Sequence, residues 1–184
     1  MRTKIHKTAL NGLHVVEIDY FQDTRGFFIE SWHKQDFKTA GITTEFVVDG
    51  HSKSTKHVLR GIHYQKQPHA MTKLVRCTRG KIFDVVIDLR VNSKTFGKWL
   101  GFVLSSEDMK QLYIPEGFAH GHITLSDISE VQYKLSTPHH PQSQVTIAWN
   151  DPDLKIVWPI KKPILSKKDQ NGISFREYKQ NPAF

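Results

Sequence analysis

Thr72-Lys73-Leu74-Val75-Arg76-Cys77-Thr78 and Lys81-Ile82-Phe83-Asp84-Val85-Val86-Ile87-Asp88-Leu89, joined by the turn pair Arg79-Gly80, decide the fold. Each run is short, rich in branched and apolar residues, and bounded by turn formers, which is the signature of a strand. Comparable runs recur at His14–Asp19, Glu45–Asp49, His57–Tyr64, Trp99–Leu104, Gln111–Ile114, Gly121–Leu125, Val131–Leu135 and Val145–Trp149. Between them lie the turn signals Val91-Asn92-Ser93, Pro115-Glu116-Gly117 and Ser126-Asp127. Only His33–Ala40, closed by Gly41, reads as helical, with a further turn near Glu107–Lys110. About ten strands at this spacing predict an all-β protein, an antiparallel sandwich or jelly roll.

Composition narrows the class. The chain has 184 residues, 38% of them hydrophobic and 11% aromatic, too rich in aromatics for disorder and of a length suited to one domain. No apolar run approaches the ~20 residues that a membrane span needs. The single Cys77 forms no intrachain disulfide. At the start, Asn11, Gly12, His14 and Glu17 interrupt any secretory apolar core, so a cytoplasmic protein is expected. Lys and Arg outnumber Asp and Glu by 26 to 18, a net charge of +8 that asks for an anionic partner. It comes in no block longer than Lys161-Lys162 or Lys167-Lys168 and has no nucleic-acid reader motif beside it.

Strand alternation picks out polar residues on apolar faces. Lys73 shares a face with Val75 and Cys77, and Tyr133 lies between Val131 and Leu135. His120, His122 and Thr124 also share a face, while Arg60 and Glu130 flank such strands. Such side chains either snorkel at a strand end or face a polar cavity. Two chemistries fit. His63, His120 and His122, with a nearby carboxylate, could form a metal-binding facial triad. Alternatively His63 as base, Tyr133 as opposed acid and Lys73 as cation could transfer protons without a metal.

Longer strings carry a resemblance. Val58-Leu59-Arg60-Gly61-Ile62-His63-Tyr64-Gln65 followed by Lys73-Leu74-Val75-Arg76 resembles the dTDP-4-dehydrorhamnose 3,5-epimerases. The same is true of Phe83-Asp84-Val85, Asp88-Leu89-Arg90, Thr95-Phe96-Gly97 and Ile114-Pro115-Glu116-Gly117-Phe118-Ala119-His120-Gly121. Asp23-Thr24-Arg25-Gly26-Phe27-Phe28-Ile29-Glu30-Ser31 and Leu165-Ser166-Lys167-Lys168-Asp169 extend it over residues 13 to 170. The resemblance implies a single cupin jelly-roll barrel (a double-stranded β-helix) over residues 1–184 with short peripheral helices, a homodimer that uses no metal or organic cofactor. The N-terminal strand region, about residues 1–50, would pack across the dimer, and the tail, about 160–184, would carry Asp169.

The implied substrate is a nucleoside-diphosphate 4-keto-6-deoxy sugar on the path to dTDP-L-rhamnose and thence lipopolysaccharide or capsule. The C4 ketone acidifies the C3 and C5 protons. By the resemblance His63 is the base, Asp169 its orienting partner, Tyr133 the acid on the other face and Lys73 the stabiliser of the C4 oxyanion. Arg60 and His120 would line the pocket, and Arg25, Phe28 and Glu30 would reach the nucleotide, commonly that of the neighbouring subunit. Departures touch the binding shell. Val48-Asp49-Gly50 stands where the family reads Gln-Asp-Asn, and Pro138-His139 replaces a Tyr-Tyr pair, leaving His139 to stack beside the base. His122 replaces an apolar residue, and Val145–Trp149 lacks the usual leading Arg or Gly. These edits leave room for a single-centre epimerase or for another nucleotide such as a CDP-linked one.

Overall fold

The computed structural model describes residues 2–184. The chain runs through β1 (Thr3–Lys7), β2 (His14–Ile18), the hairpin β3 (Phe21–Asp23) and β4 (Gly26–Phe28), and α1 (Lys34–Thr39). Nine further strands follow: β5 (Val48–Thr55), β6 (Leu59–Gln65), β7 (Lys73–Arg79), β8 (Lys81–Asp88), β9 (Trp99–Ser105), β10 (Gln111–Ile114), β11 (Phe118–Thr124), β12 (Ile128–Leu135) and β13 (Gln144–Thr146). Two short helices, α2 (Lys167–Gln170) and α3 (Phe175–Gln180), close the chain. The strands form a six-stranded sheet ordered β1-β2-β10-β7-β12-β5 and a five-stranded sheet ordered β13-β6-β11-β8-β9, with β3-β4 apart. All-β and jelly-roll are therefore right. The two sheets face each other in the jelly-roll manner, and among the described residues no strand ladder joins them.

The core explains why β8 is mostly apolar. On β8, Ile82 and Val86 point between the sheets, where they meet Val75 and Cys77 of β7 and Val131 of β12. Val85 and Ile87 point the other way, under a cover of Leu154, Phe175 and Tyr178 from the C-terminal segment. Both faces of the strand are buried, so both alternating sets are apolar save for the buried Asp84 and Asp88. On the outside of the six-stranded sheet, Phe37 of α1 and Ile42 close over Val16, Ile18 and Leu74.

The edges of the sheets differ from expectation. The strand expected at Glu45–Asp49 lies later, at β5, because β5 is an edge strand whose outward residues are polar and alternate in burial. The turn expected near Glu107–Lys110 is present, at residues 106–108. The edge strand β1 and the hairpin β3–β4 escape periodicity, being too exposed to carry an apolar face.

One irregularity positions the site. On β6 and β11, His120 pairs with His63 and His122 with Arg60, so Gly61 and Ile62 together face Gly121. This bulge sends Arg60 and His63 to the same side, although residues three apart in a regular strand point oppositely. Gly61 sits at φ +125°, and a Cβ there would lie 2.6 Å from Gly121 Cα and 2.9 Å from the His120 carbonyl oxygen. Gly61→Ala is therefore expected to destabilise the fold by about 3 kcal/mol, measurable by chemical denaturation. An unchanged midpoint would contradict this packing.

Candidate active site

Arg60, His63, Lys73, His120, Tyr133 and Asp169 line one cleft of about 320 Å³, together with Ser52, His122, Ser166 and Lys168. His63 and His120 come from the five-stranded sheet, Lys73 and Tyr133 from the six-stranded sheet, so the two sheets present their groups to a shared space. An adjoining hollow of about 210 Å³ is bounded by His63, Lys73 and Tyr133 again, with Tyr64, Met71 and His139.

Asp169 arrives from far along the chain. Val58 and Ile164 form a parallel bridge, which lays the tail beside the start of β6. Ser166 then caps α2, its Oγ accepting from the Asp169 N–H at 3.1 Å. The same hydroxyl donates to Asp169 Oδ2 at 2.8 Å, while Asp169 Oδ1 stands 2.6 Å from His63 Nε2. His63 and Ser166 hold the Asp169 carboxyl below the usual carboxylate range against the opposing effect of its burial. An ionised carboxylate only accepts, so the proton of this hydrogen bond belongs to Nε2 and the imidazole lone pair to Nδ1. Burial lowers the His63 pKa below its ordinary 6.5, and the Asp169 charge works in the other direction. The ring is therefore a neutral base at pH 7.

Tyr133 is the opposite kind of group. Its hydroxyl lies 3.1 Å from Ser52 Oγ, and burial pushes its pKa up to about 12, which keeps the phenol protonated. Lys73 lines both hollows with these two residues, and burial brings its ammonium down to about 8, with the nearby Asp84 charge opposing. It stays a cation at neutral pH. Arg60 is fixed by its Nε donating to Ser54 Oγ at 2.9 Å and an Nη2 contact to the Lys53 carbonyl at 3.1 Å. His120 Nε2 is 2.8 Å from Asp84 Oδ2, deep under the cleft. His139 Nε2 meets Gln144 Oε1 at 2.6 Å, and Lys168 donates to the same oxygen.

The structure separates the other expected residues. Arg25 and Phe28 lie on the β3–β4 hairpin around a surface hollow of their own with Phe21 and Phe27, and Glu30 follows in an exposed position. None of the three lines the His63 cleft of its own chain. The three-histidine metal set also does not assemble as expected. His63 is tied to Asp169, and the donors that converge are Asp84, His120 and His122.

Ser52, Ser166, Lys168 and Asp84 escaped the sequence reading. Ser166 had a signal, because a serine three residues before an acid marks a helix start. Asp84 had one too: alternation places it between Ile82 and Val86 on the inward face, where a charge needs a reason. Lys168 stood out only as half of the basic pair Lys167-Lys168, and Ser52 had no signal.

A neutral base, a protonated phenol and a cation sharing one cleft suit the removal and return of a proton beside a carbonyl, the chemistry of an epimerase. The pattern that defines the dTDP-4-dehydrorhamnose 3,5-epimerases matches residues 7–177. The dTDP-4-dehydrorhamnose 3,5-epimerase of Shigella flexneri is 49% identical over 170 residues, 92% of this chain and 94% of that protein. The enzyme of that name from Elizabethkingia anophelis superposes with a TM-score of 0.91 at 41% identity over the whole of both chains. The dTDP-6-deoxy-D-glucose-3,5-epimerase of Legionella pneumophila, solved with dTDP-4-keto-L-rhamnose, gives 0.91 at 41% identity over 95% of this chain and 94% of that one. The chain belongs to the dTDP-4-dehydrorhamnose 3,5-epimerase family. Among the described residues no helix is long and apolar enough to cross a membrane.

Proposed function

We propose that this protein converts dTDP-4-dehydro-6-deoxy-D-glucose into dTDP-4-dehydro-L-rhamnose by inverting C3 and C5. The observation that carries this reading is the Asp169–His63 pair, 2.6 Å apart, in one cleft with protonated Tyr133 and the Lys73 ammonium. Nδ1 of His63 takes the proton from the carbon beside the C4 ketone, and the electron pair moves onto the C4 oxygen. Lys73 stabilises that oxyanion. The Tyr133 hydroxyl returns a proton to the opposite face of the carbon, and the phenolate and imidazolium re-equilibrate with solvent. Repetition at the second carbon completes the inversion. The substrate's own ketone is the electron sink, so the scheme draws on no cofactor.

Arg60 and Lys168 bring positive charge to the cleft, which suits a diphosphate. In this reading a second copy of the chain supplies Arg25, Phe28 and Glu30 to the nucleotide. Its β3–β4 hairpin carries Phe21, Phe27 and Phe28 at 71%, 56% and 63% exposure, an apolar tip that asks for cover. The single-domain organisation and the location in the cytoplasm belong to the same proposal.

Following the ring protons of the product by NMR tests the assignment. L-configured 4-keto sugar is expected. Inversion at one carbon only, or a clear preference for a CDP-linked sugar, would overturn it in favour of a narrower or redirected epimerase.

Asp169→Asn tests the pairing. The amide keeps the size but removes the charge that favours imidazolium. The acid limb of kcat/KM, set by neutral His63 and lying below pH 6.5 in the parent, is expected to move to still lower pH. Turnover is expected to fall up to about 100-fold through loss of orientation. A limb that moved upward would contradict the pairing.

A further inference from the structure

The geometry points to a binding site for one divalent transition-metal ion, of the zinc class, formed by Asp84, His120 and His122 at the floor of the cleft. One donor atom from each of these residues lies within 4.8 Å of the others. Asp84 on β8 pairs in register with His122 on β11, and His120 stands two residues earlier on the same face. The set is two imidazoles and one carboxylate, a donor combination of catalytic zinc and non-haem iron sites.

Two of the donors lack a partner. His122 is 2% exposed, yet its Nε2 has no hydrogen bond, and Asp84, 0% exposed, leaves Oδ1 equally unsatisfied. Buried polar atoms without partners cost stability unless something meets them, and these two belong to one cluster. A tetrahedral ion bound at about 2.0–2.2 Å needs donor spacings of about 3.3–3.6 Å, so a modest inward shift closes the set. His120 would give up its bond to Asp84 and turn Nε2 to the ion. Both His120 and His122 line the cleft, so the remaining coordination position opens toward the substrate space.

The ion plays no part in the proton transfers proposed above. It would occupy their floor and draw Asp84 away from Lys73, so it acts as an inhibitor. The Lys73 ammonium, coupled by charge to Asp84, opposes a second cation, which sets the affinity.

Titrating the metal-free full-length protein with Co²⁺ and Zn²⁺ tests the site, with metal content and the visible Co²⁺ spectrum as readouts. One ion per chain and tetrahedral d–d bands are expected. His122→Phe and the near-isosteric Asp84→Asn should each weaken binding at least 10-fold, with circular dichroism confirming the fold. Lys73→Met should tighten it several-fold. Absence of stoichiometric binding, or binding that survives both His122→Phe and Asp84→Asn, would overturn the assignment and mark adventitious capture by other histidines. Failure of the epimerase reading would leave this titration unaffected.

Discussion

Replacing His63 by alanine is expected to lower turnover by about 10²–10⁴-fold and to abolish solvent exchange at C3 and C5 together. The two losses belong together because, of the two imidazoles in the cleft that face a carboxylate, His63 on Asp169 is the partly exposed one, at 24% against 4% for His120. His120 is no substitute: it is 4% exposed and turned into Asp84, and burial holds its pKa well below the ordinary 6.5. Substrate binding should change little, since Arg60, Lys73 and Lys168 remain to hold the anion. Exchange that survived at one carbon would mean that a second base serves it.

Tyr133→Phe should separate two events that the wild type couples. In the proposed mechanism its hydroxyl is the donor to the face opposite His63, and burial pushes its pKa up to about 12, which keeps the proton in place until it is needed. Without it, His63 can still remove a proton, trade it with solvent and return deuterium to the same face. Exchange without inversion is the expected signature, with product formation down by about 10²–10⁴-fold and KM within a few-fold of the parent. Parallel loss of exchange and inversion, or a rise in KM that accounts for the whole defect, would assign Tyr133 to binding.

The strands that carry the interior were legible because their burial writes itself into composition. β7 and β8 show it most clearly: Val75, Cys77, Ile82 and Val86 fill the space between the sheets, and Val85 and Ile87 fill the layer behind. Lys73 and Tyr133 were legible for the same reason, as polar residues on otherwise apolar faces. The edges were not. β5 alternates polar side chains on an exposed flank, and β3–β4 exposes nearly everything it has.

Within the site, period-two reasoning fails at Arg60 and His63, whose common direction depends on the bulge at Gly61 and Gly121. The His63–Asp169 contact joins residues 106 positions apart, and no spacing rule reaches that far. It became readable only through the family strings around each residue. The edits at His122 and His139 were visible as departures, but their surroundings required the structure: His122 faces Asp84 across β8 and β11, and His139 leans on Gln144 at the hollow beside the base.

The central claim is that one cleft deprotonates both carbons flanking the ketone. Incubating the wild-type protein with dTDP-4-dehydro-6-deoxy-D-glucose in D₂O and reading each ring position by NMR tests it most directly. Deuterium at both C3 and C5, accumulating with the inverted product, is the result this account predicts. Deuterium at neither carbon, or at one alone, would contradict it.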